Sequence, residues 1–133
     1  MIPVDPVGSG ISLPPPSPPP STCSSGEVCL YYSSNFKGGM YEQRHNISDY
    51  ANCRFGASSV TGTAGFGQSI KNNVASVVND TNYTFYIFYN RNFAGVWAGI
   101  PAHRAMNLPV GIKNENASGG NANYPYPSSG TGC

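Results

Sequence analysis

The chain has 133 residues, enough for one domain rather than two. Charged side chains make up only 10% of it and the formal net charge is +1, so no basic surface for nucleic acid is expected. No apolar run is long enough to span a bilayer. Aromatic, Gly, Asn and Ser residues dominate instead, a mixture typical of short strands joined by tight turns.

Residues 1–26 are predicted to be a Pro-rich extended arm that contains the sequence LPPPSPPPS. Proline fixes φ and lacks an amide donor, so this stretch favours polyproline II without internal hydrogen bonds. Such a segment is either a semi-rigid linker or a docking element that lies against another chain. The docking hypothesis uses the apolar side chains and the first proline run: Ile2, Val4, Val7, Ile11, Leu13, Pro14, Pro15 and Pro16.

Residues 27–118 are predicted to form the packed unit, which is of the all-β class. No stretch has a sustained 3.6-residue apolar period, so helix is expected for only one or two turns around residues 48–52. The tail, residues 119–133, is predicted to be irregular. Runs rich in β-branched, aromatic and small residues mark the candidate strands: Val28–Tyr32, Ser58–Val60, Val74–Val78 and Thr84–Tyr89.

A repeated pattern lies within this unit. Residues 31–38 and 88–95 both have an aromatic residue, four residues, a second aromatic, one residue and a glycine. Two aromatics can pack over a folded-back hairpin, while glycine supplies a backbone conformation that a side chain forbids. Two copies predict two similar β-units about a pseudo-twofold axis. The side chains expected to be largely buried are Tyr31, Phe36, Phe88, Phe93 and Trp97.

The doubled pattern resembles the Greek-key signature of βγ-crystallins. That family follows each hairpin with a loop of two Asn/Asp, two variable residues and Ser/Thr-Ser. The matching loops here are Asn72–Val77 and Asn114–Gly119, which depart from the pattern at their last position. With Val-Cys-Leu-Tyr opening the first unit, the chain is similar to the actinobacterial proteinase-inhibitor family I36. The resemblance implies a sandwich of two Greek-key units.

The resemblance also implies a cofactor, because family members with intact loops bind calcium through loop oxygens. In this chain, Glu115 is the one charged residue among the matching positions, and calcium prefers carboxylates. No cofactor is therefore expected beyond weak calcium, in about the millimolar range at best, and otherwise the loops simply turn the chain. The candidate ligands are Asn72, Asn73, Ser76, Asn114, Glu115 and Ser118.

Four cysteines indicate two disulfides and an oxidising location rather than a zinc site, since none forms a CxxC pair. Three pairings exist, and we favour Cys29–Cys53 with Cys23–Cys133; four reduced cysteines are the alternative. The first ten residues lack the basic and apolar stretches of a secretory signal. We expect either that a signal was removed or that the protein leaves the cell by another route, such as lysis.

Catalysis is not expected, because no carboxylate pair or nucleophile motif is present. The favoured hypothesis is a structural module on the virion surface, docking through its arm onto a phage capsid or tail. The alternative is a secreted proteinase inhibitor of the I36 type, whose partner is a protease. For that role the candidate exposed loops are Gly62–Gly67 and Ala98–Arg104.

Overall fold

The structure is a computed structural model that describes residues 10, 16–20, 22–125 and 133. These residues contain seven strands: β1 (Val28–Ser33), β2 (Lys37–Gln43), β3 (Ser76–Asn79), β4 (Phe85–Asn90), β5 (Ala94–Ile100), β6 (Arg104–Asn107) and β7 (Ser118–Asn121). They form a four-stranded sheet in the order β2-β1-β3-β6 and a three-stranded sheet in the order β5-β4-β7, with every pairing antiparallel. The predicted all-β class is confirmed.

The two hairpins exchange strands between the sheets. β1 and β2 form the first hairpin, and β4 and β5 form the second. β6 follows the second hairpin along the chain but pairs with β3 in the first sheet. Conversely, Ile47 follows the first hairpin and forms a bridge with Gly119 of β7 in the second sheet. Each unit therefore contributes a segment to the other sheet, which gives the predicted pair of Greek keys.

The core lies between the two sheets. In β1, Val28 and Leu30 point into it, and they alternate with Cys29 and Tyr31, which belong to a separate cluster on the other face. This outer cluster consists of Cys23, Cys29, Tyr31, Val78 and Ala105. The largest fully buried side chains of the interior are Tyr50, Phe55, Phe85, Leu30, Ile47, Ile70, Ile87, Ile100 and Ile112.

The aromatic side chains of the repeat are buried to different degrees. Tyr31 and Phe88 are fully buried, as predicted. Phe36, Phe93 and Trp97 are less completely buried than these two, but none of the three is classed as exposed. Phe36 packs edge-on against Tyr31 with ring centroids 6.0 Å apart, and Phe93 packs against Phe88 at 5.9 Å. The second aromatic of each pair therefore covers the buried ring from the solvent side.

Each hairpin folds back through residues with positive φ. Phe36 has a φ of 60° and Phe93 a φ of 57°, a region that bulky side chains avoid. The Ser76 hydroxyl accepts a hydrogen bond from the Phe36 amide at 3.0 Å and donates one to the Ser33 carbonyl at 2.7 Å. Ser118 repeats both contacts on the second hairpin, at 3.0 and 2.7 Å. We call each of these buried serines, together with its two hydrogen bonds, a serine clasp.

The part of the arm that the structure describes packs on its own domain. The Ser17 amide donates to the Ala105 carbonyl of β6 at 2.7 Å, and the Ala105 amide donates to the Ser17 carbonyl at 2.8 Å. Gly10 forms a parallel bridge with Trp97 of β5. Pro16 is exposed. The other predicted docking residues lie outside the described residues: Ile2, Val4, Val7, Ile11, Leu13, Pro14 and Pro15.

The remaining elements close the ends of the sandwich, which continues past residue 118. β7 extends to Asn121, and the buried Tyr124 hydroxyl donates to the Gln43 carbonyl at 2.9 Å. The predicted helical turn is a single 3₁₀ turn at Tyr50–Asn52, where the Ala51 amide donates to the side chain of Asp49. Across residues 16–20 and 22–125, no helix is long and apolar enough to cross a membrane.

Two disulfides join Cys23 to Cys29 and Cys53 to Cys133, with Cα atoms 5.9 and 5.1 Å apart. The predicted pairing of Cys29 with Cys53 and of Cys23 with Cys133 is therefore wrong. Cys29 belongs to the outer cluster, whereas Cys53 lies in the interior core, so the first sheet separates the two thiols. Cys23 lies on the same face as Cys29 and is within reach of it.

Glu27 is a buried carboxylate, 4% exposed, that forms an ion pair with the exposed Arg44. Within the part of the chain that the structure describes, its Oε1 atom has no hydrogen-bond partner. Burial raises the pKa of Glu27, a hydrogen bond and the charge of Glu42 raise it further, and Arg44 opposes both effects. The folded protein therefore holds a proton at Glu27 more tightly than the unfolded chain does.

We expect the long-range disulfide to stabilise the fold more than the local one. Cys53→Ser/Cys133→Ser opens a link across 80 residues and should lower the free energy of unfolding by about 4 kcal/mol in the chain-entropy model. Cys23→Ser/Cys29→Ser opens a link across 6 residues and should cost about 2 kcal/mol. Urea unfolding of both variants measures the difference. Equal decreases in the free energy of unfolding would contradict the pairing. So would a peptide that contains a Cys29–Cys53 disulfide in non-reducing peptide mapping.

The free energy of unfolding should rise as the pH falls from neutral through the raised pKa of Glu27. The gain should be complete below the unfolded value of 4.5, because the folded state binds the proton more tightly. Glu27→Gln should flatten this dependence, since the amide cannot take up a proton. Glu115→Gln is the control, because its side chain is exposed and lies outside this cluster. Unfolding curves at several pH values test the slope, and an unchanged slope in Glu27→Gln refutes the assignment.

Candidate functional site

The loops that precede β3 and β7 share one sequence pattern. Residues 71–76 are Lys-Asn-Asn-Val-Ala-Ser, and residues 113–118 are Lys-Asn-Glu-Asn-Ala-Ser. The second position has positive φ in both, 61° at Asn72 and 54° at Asn114, which asparagine tolerates better than most residues. The final serine of each loop forms a serine clasp. The two loops are therefore equivalent, and each begins with a lysine.

Three of the six predicted calcium ligands line one surface cleft: Asn72, Asn114 and Glu115. The cleft has a volume of about 630 Å³. Its other lining residues are Lys71, Tyr89, Asn90, Arg91 and Ala117. Among the residues that the structure describes, no three His, Cys, Asp or Glu side chains come together in a group that could hold a metal ion.

The other three predicted ligands form contacts elsewhere. The hydroxyls of Ser76 and Ser118 each donate and accept a hydrogen bond in a serine clasp. The Asn73 side-chain amide donates to the Ser69 carbonyl at 2.8 Å. None of the three lines the cleft among the described residues. The structure thus brings together half of the predicted set.

The charges in the cleft disfavour a divalent cation. Lys71 and Arg91 line it together with a single carboxylate, that of Glu115. Arg91 also lies 3.7 Å from the carboxylate of Asp49. Calcium sites gain affinity from carboxylate ligands, and nearby cations repel the ion. Calcium binding that is weak at most therefore stays a prediction.

A second feature, the exposed loop (residues 56–68), lies in the long connection between β2 and β3. Its base is closed by backbone hydrogen bonds. The Gly56 amide donates to the Met40 carbonyl at 2.9 Å, and the Met40 amide donates to the Gly56 carbonyl at 3.0 Å. The Phe55 amide donates to the Gln68 carbonyl at 3.0 Å. The two ends of the exposed loop are therefore held together and held to β2.

The tip of the exposed loop presents Val60, whose side chain is 71% exposed. Ser58 and Gly62 exchange backbone hydrogen bonds of 3.1 and 3.0 Å across this tip. The Ser58 hydroxyl accepts the amides of Val60 and Thr61 at 3.2 and 3.0 Å. The Thr61 hydroxyl donates to the Gly38 carbonyl of β2 at 2.7 Å. The backbone on both sides of Val60 is thus fixed before any partner binds.

The second half of the exposed loop presents Phe66, whose side chain is 60% exposed. The Gly39 amide of β2 donates to the Ala64 carbonyl at 2.8 Å. Gly65 has a φ of +81° and packs under the ring of Tyr32, where an added Cβ would lie 2.1 Å from Cδ1. Glycine is required at this position by both its conformation and the close contact.

The predicted exposed segment Gly62–Gly67 lies within the exposed loop. The other predicted segment, Ala98–Arg104, is wrong as a loop. Ala98 and Ile100 are buried in β5, and Arg104 begins β6, so the turn between these strands is confined to residues 101–103.

Sequence reasoning missed Val60, because residues 58–60 were assigned to the strand-like runs. The signal in the sequence is the pair of serines before Val60 and Gly62 after it, which are turn-forming residues. The two β-branched residues between them, Val60 and Thr61, are too short a run to make a strand.

Comparison with known families decides the relationship. The model of peptidase inhibitor family I36 matches residues 16–100, which include both hairpins and the exposed loop. The chain belongs to peptidase inhibitor family I36. The resemblance found in the sequence is therefore confirmed. Among curated proteins, none matches this chain.

Solved structures resemble the I36 chain in fold. A structure from work on the evolution of the eye lens βγ-crystallin domain fold is 20% identical, with a TM-score of 0.56 over 72% of this chain and 84% of that one. The N-terminal domain of Protein S is 19% identical, with a TM-score of 0.52 over 70% and 91%. A βγ-crystallin from Ciona intestinalis is 19% identical, with a TM-score of 0.53 over 72% and 99%. At these identities the likeness shows the fold alone.

The family match supports the inhibitor alternative over docking on a capsid or tail. Peptidase inhibitors and crystallins are both classes of non-catalytic protein. The family and the two disulfides together indicate a secreted or extracellular protein, because disulfides persist where the environment is oxidising.

We expect calcium to bind in about the millimolar range or more weakly. Lys71→Asp should tighten binding by about tenfold, because it exchanges a cation for a carboxylate in the cleft. Lys37→Asp makes the same charge change at an exposed position outside the cleft and should leave the affinity unchanged. Titration calorimetry of the three proteins tests this. Micromolar affinity in the unsubstituted protein would refute it.

Proposed function

We propose that the chain inhibits a peptidase by presenting residues 58–67 of the exposed loop to the target. The observation that carries this proposal is the exposure of Val60 and Phe66 on a backbone that is hydrogen-bonded at its base and tip. Membership of family I36 supports the activity, and these contacts support the choice of loop. The partner would be a peptidase, and the chain itself would carry out no catalysis.

The internal hydrogen bonds of the exposed loop support tight binding. A loop that is already ordered loses little conformational entropy when a partner binds it. The bonds of Ser58 and Thr61 hold the tip against β2 without using the side chain of Val60. The Cys53–Cys133 disulfide lies next to the base and restrains the chain there. The loop can therefore keep one conformation in the free and bound states.

The chemistry of the exposed loop favours a target with an apolar specificity pocket. Residues 56–68 contain no charged side chain, so a pocket that selects Lys, Arg, Asp or Glu has nothing to bind. Val60 and Phe66 each expose apolar surface, whose burial is favourable by about 25 cal/mol per Å². A few such anchors supply most of the energy of a typical protein interface.

The arm supports a docking role less well. Ser17, within the Pro-rich stretch, forms backbone hydrogen bonds with Ala105 of the same chain. The described part of the arm therefore packs on its own domain, whereas the inhibitor hypothesis has the support of the family and of the exposed loop.

Inhibition should depend on Val60. Against a panel of metallo- and serine peptidases, the unsubstituted protein should inhibit at least one with apolar specificity, and Val60→Asp should raise the inhibition constant about thirtyfold or more. Val110→Asp is the matched control, because Val110 is 94% exposed and lies outside the exposed loop. Progress curves give the constants, and circular dichroism verifies the fold.

Two results would contradict the proposal. One is the absence of inhibition across the panel. The other is an equal loss in the Val60→Asp and Val110→Asp variants, which would place the contact surface elsewhere.

A further inference from the structure

The outer edge of β6 is covered by a segment that has almost no backbone hydrogen-bond donors. We call Pro16–Pro20 the strap. Ser17 is the one residue of the strap that has a backbone N–H, since the other four are prolines. That N–H donates to the Ala105 carbonyl at 2.7 Å, and the Ser17 carbonyl accepts from the Ala105 amide at 2.8 Å. The strap thus pairs with one residue of β6 and offers no donor to a further strand.

The strap is attached at its C-terminal end to the outer cluster. The Thr22 hydroxyl lies 3.2 Å from the Tyr31 hydroxyl, and the Cys23–Cys29 disulfide fixes the chain immediately afterwards. Between this attachment and Ser17, the Cys23 amide donates to the Pro20 carbonyl at 3.5 Å, which is a long hydrogen bond. The strap itself is therefore held on β6 by a single residue pair, and the chain is attached after it at Thr22 and Cys23 and before it by the bridge of Gly10 to Trp97.

Two other sheet edges are covered by a different part of the chain. They are β7 in the three-stranded sheet and β2 in the four-stranded sheet. Residues of the long β2–β3 connection cover both: Gly56 pairs with Met40 of β2, and Ile47 pairs with Gly119 of β7. These segments lie inside the domain and lead directly into its core. The strap precedes the first strand, so its removal from β6 breaks none of the strand pairings.

We propose that the strap is a removable cover and that the β6 edge beneath it is a strand-addition surface for a second copy of this chain. Ser17 and Ala105 exchange both of their backbone hydrogen bonds, so Ala105 is at a hydrogen-bonded position of an antiparallel pair. Ala105 of a second copy can replace Ser17 with the same two bonds about a twofold axis.

The side chains of β6 permit this twofold pairing. With Ala105 opposite Ala105 of the second copy, Arg104 comes to lie opposite Met106 and not opposite another arginine. Like charges directly opposite each other would have destabilised the pair. The two Ala105 side chains would face each other across the twofold axis, and they are small enough to do so without a clash. An uncovered edge strand of this kind is a template for pairing, which proteins block with prolines and short covering segments.

The test compares Ser17→Pro with Ser17→Ala. Proline removes the last amide donor of the strap, whereas alanine keeps it and changes only the side chain. Sedimentation velocity over a concentration series should show that Ser17→Pro self-associates about tenfold or more tightly than the other two proteins, because the strap no longer competes. Hydrogen exchange at the Ala105 amide should be slow in the unsubstituted protein and in Ser17→Ala. In Ser17→Pro it should be slow only at concentrations where the dimer forms.

A second variant locates the interface. Ala105→Pro in the Ser17→Pro background removes the donor of β6 that faces away from β3, and it should return the protein to a monomer. A dimer that persists in the double variant overturns the proposal. So does a Ser17→Pro protein that stays monomeric at every concentration while its Ala105 amide exchanges freely. An unsubstituted dimer that Ser17→Pro converts to monomer also overturns it, because the strap of one copy would then bind the other.

Discussion

The fold depends on two strained turns, each held by one buried hydroxyl. Phe36 and Phe93 adopt conformations that cost about 1–3 kcal/mol each, and they persist because Ser76 and Ser118 bind the turn on both sides. Each serine lies in the strand next to the hairpin, so one contact fixes the turn and the strand order together. Gly38, which holds the exposed loop, follows the first turn by two residues. The position of the exposed loop thus depends on the serine clasp of Ser76.

Much of the fold could be predicted from the sequence, because the spacing of aromatic and glycine residues in the repeat reflects a backbone requirement. The same spacing does not tell which ring lies outside, and Phe36 and Phe93 proved to be covers. For the disulfides, the alternation of Val28, Cys29 and Leu30 already places Cys29 away from the core. Cys53 lies in the irregular connection between β2 and β3, where the sequence has no alternation of apolar and polar residues. Nearby residues therefore do not indicate which face of the sheet it is on, and its partner could not be predicted.

The candidate site was only partly predictable. Phe66 fell within a predicted exposed segment, whereas Val60 did not. The conformation around Val60 depends on a hydrogen bond between Thr61 and Gly38, 23 residues apart, and neither residue signals that contact. In the cleft, by contrast, the sequence does carry a signal, because Lys71 and Lys113 occupy equivalent positions of a repeat. Only Lys71 lines the cleft with Asn114 and Glu115, however, and that depends on how the two units pack.

The Cys53–Cys133 disulfide would have a consequence if a peptidase cut the exposed loop. Hydrolysis of any peptide bond from Val60 to Phe66 would separate an N-terminal piece that contains Cys53 from a C-terminal piece that contains Cys133. The disulfide keeps these pieces in one molecule, and for a cut between Val60 and Ala64 the hydrogen bond from the Gly39 amide to the Ala64 carbonyl also joins the two pieces. The new amine and carboxylate then stay at high effective concentration. A cut between Val60 and Ala64 would therefore be resealed more readily than one whose two ends were free to separate.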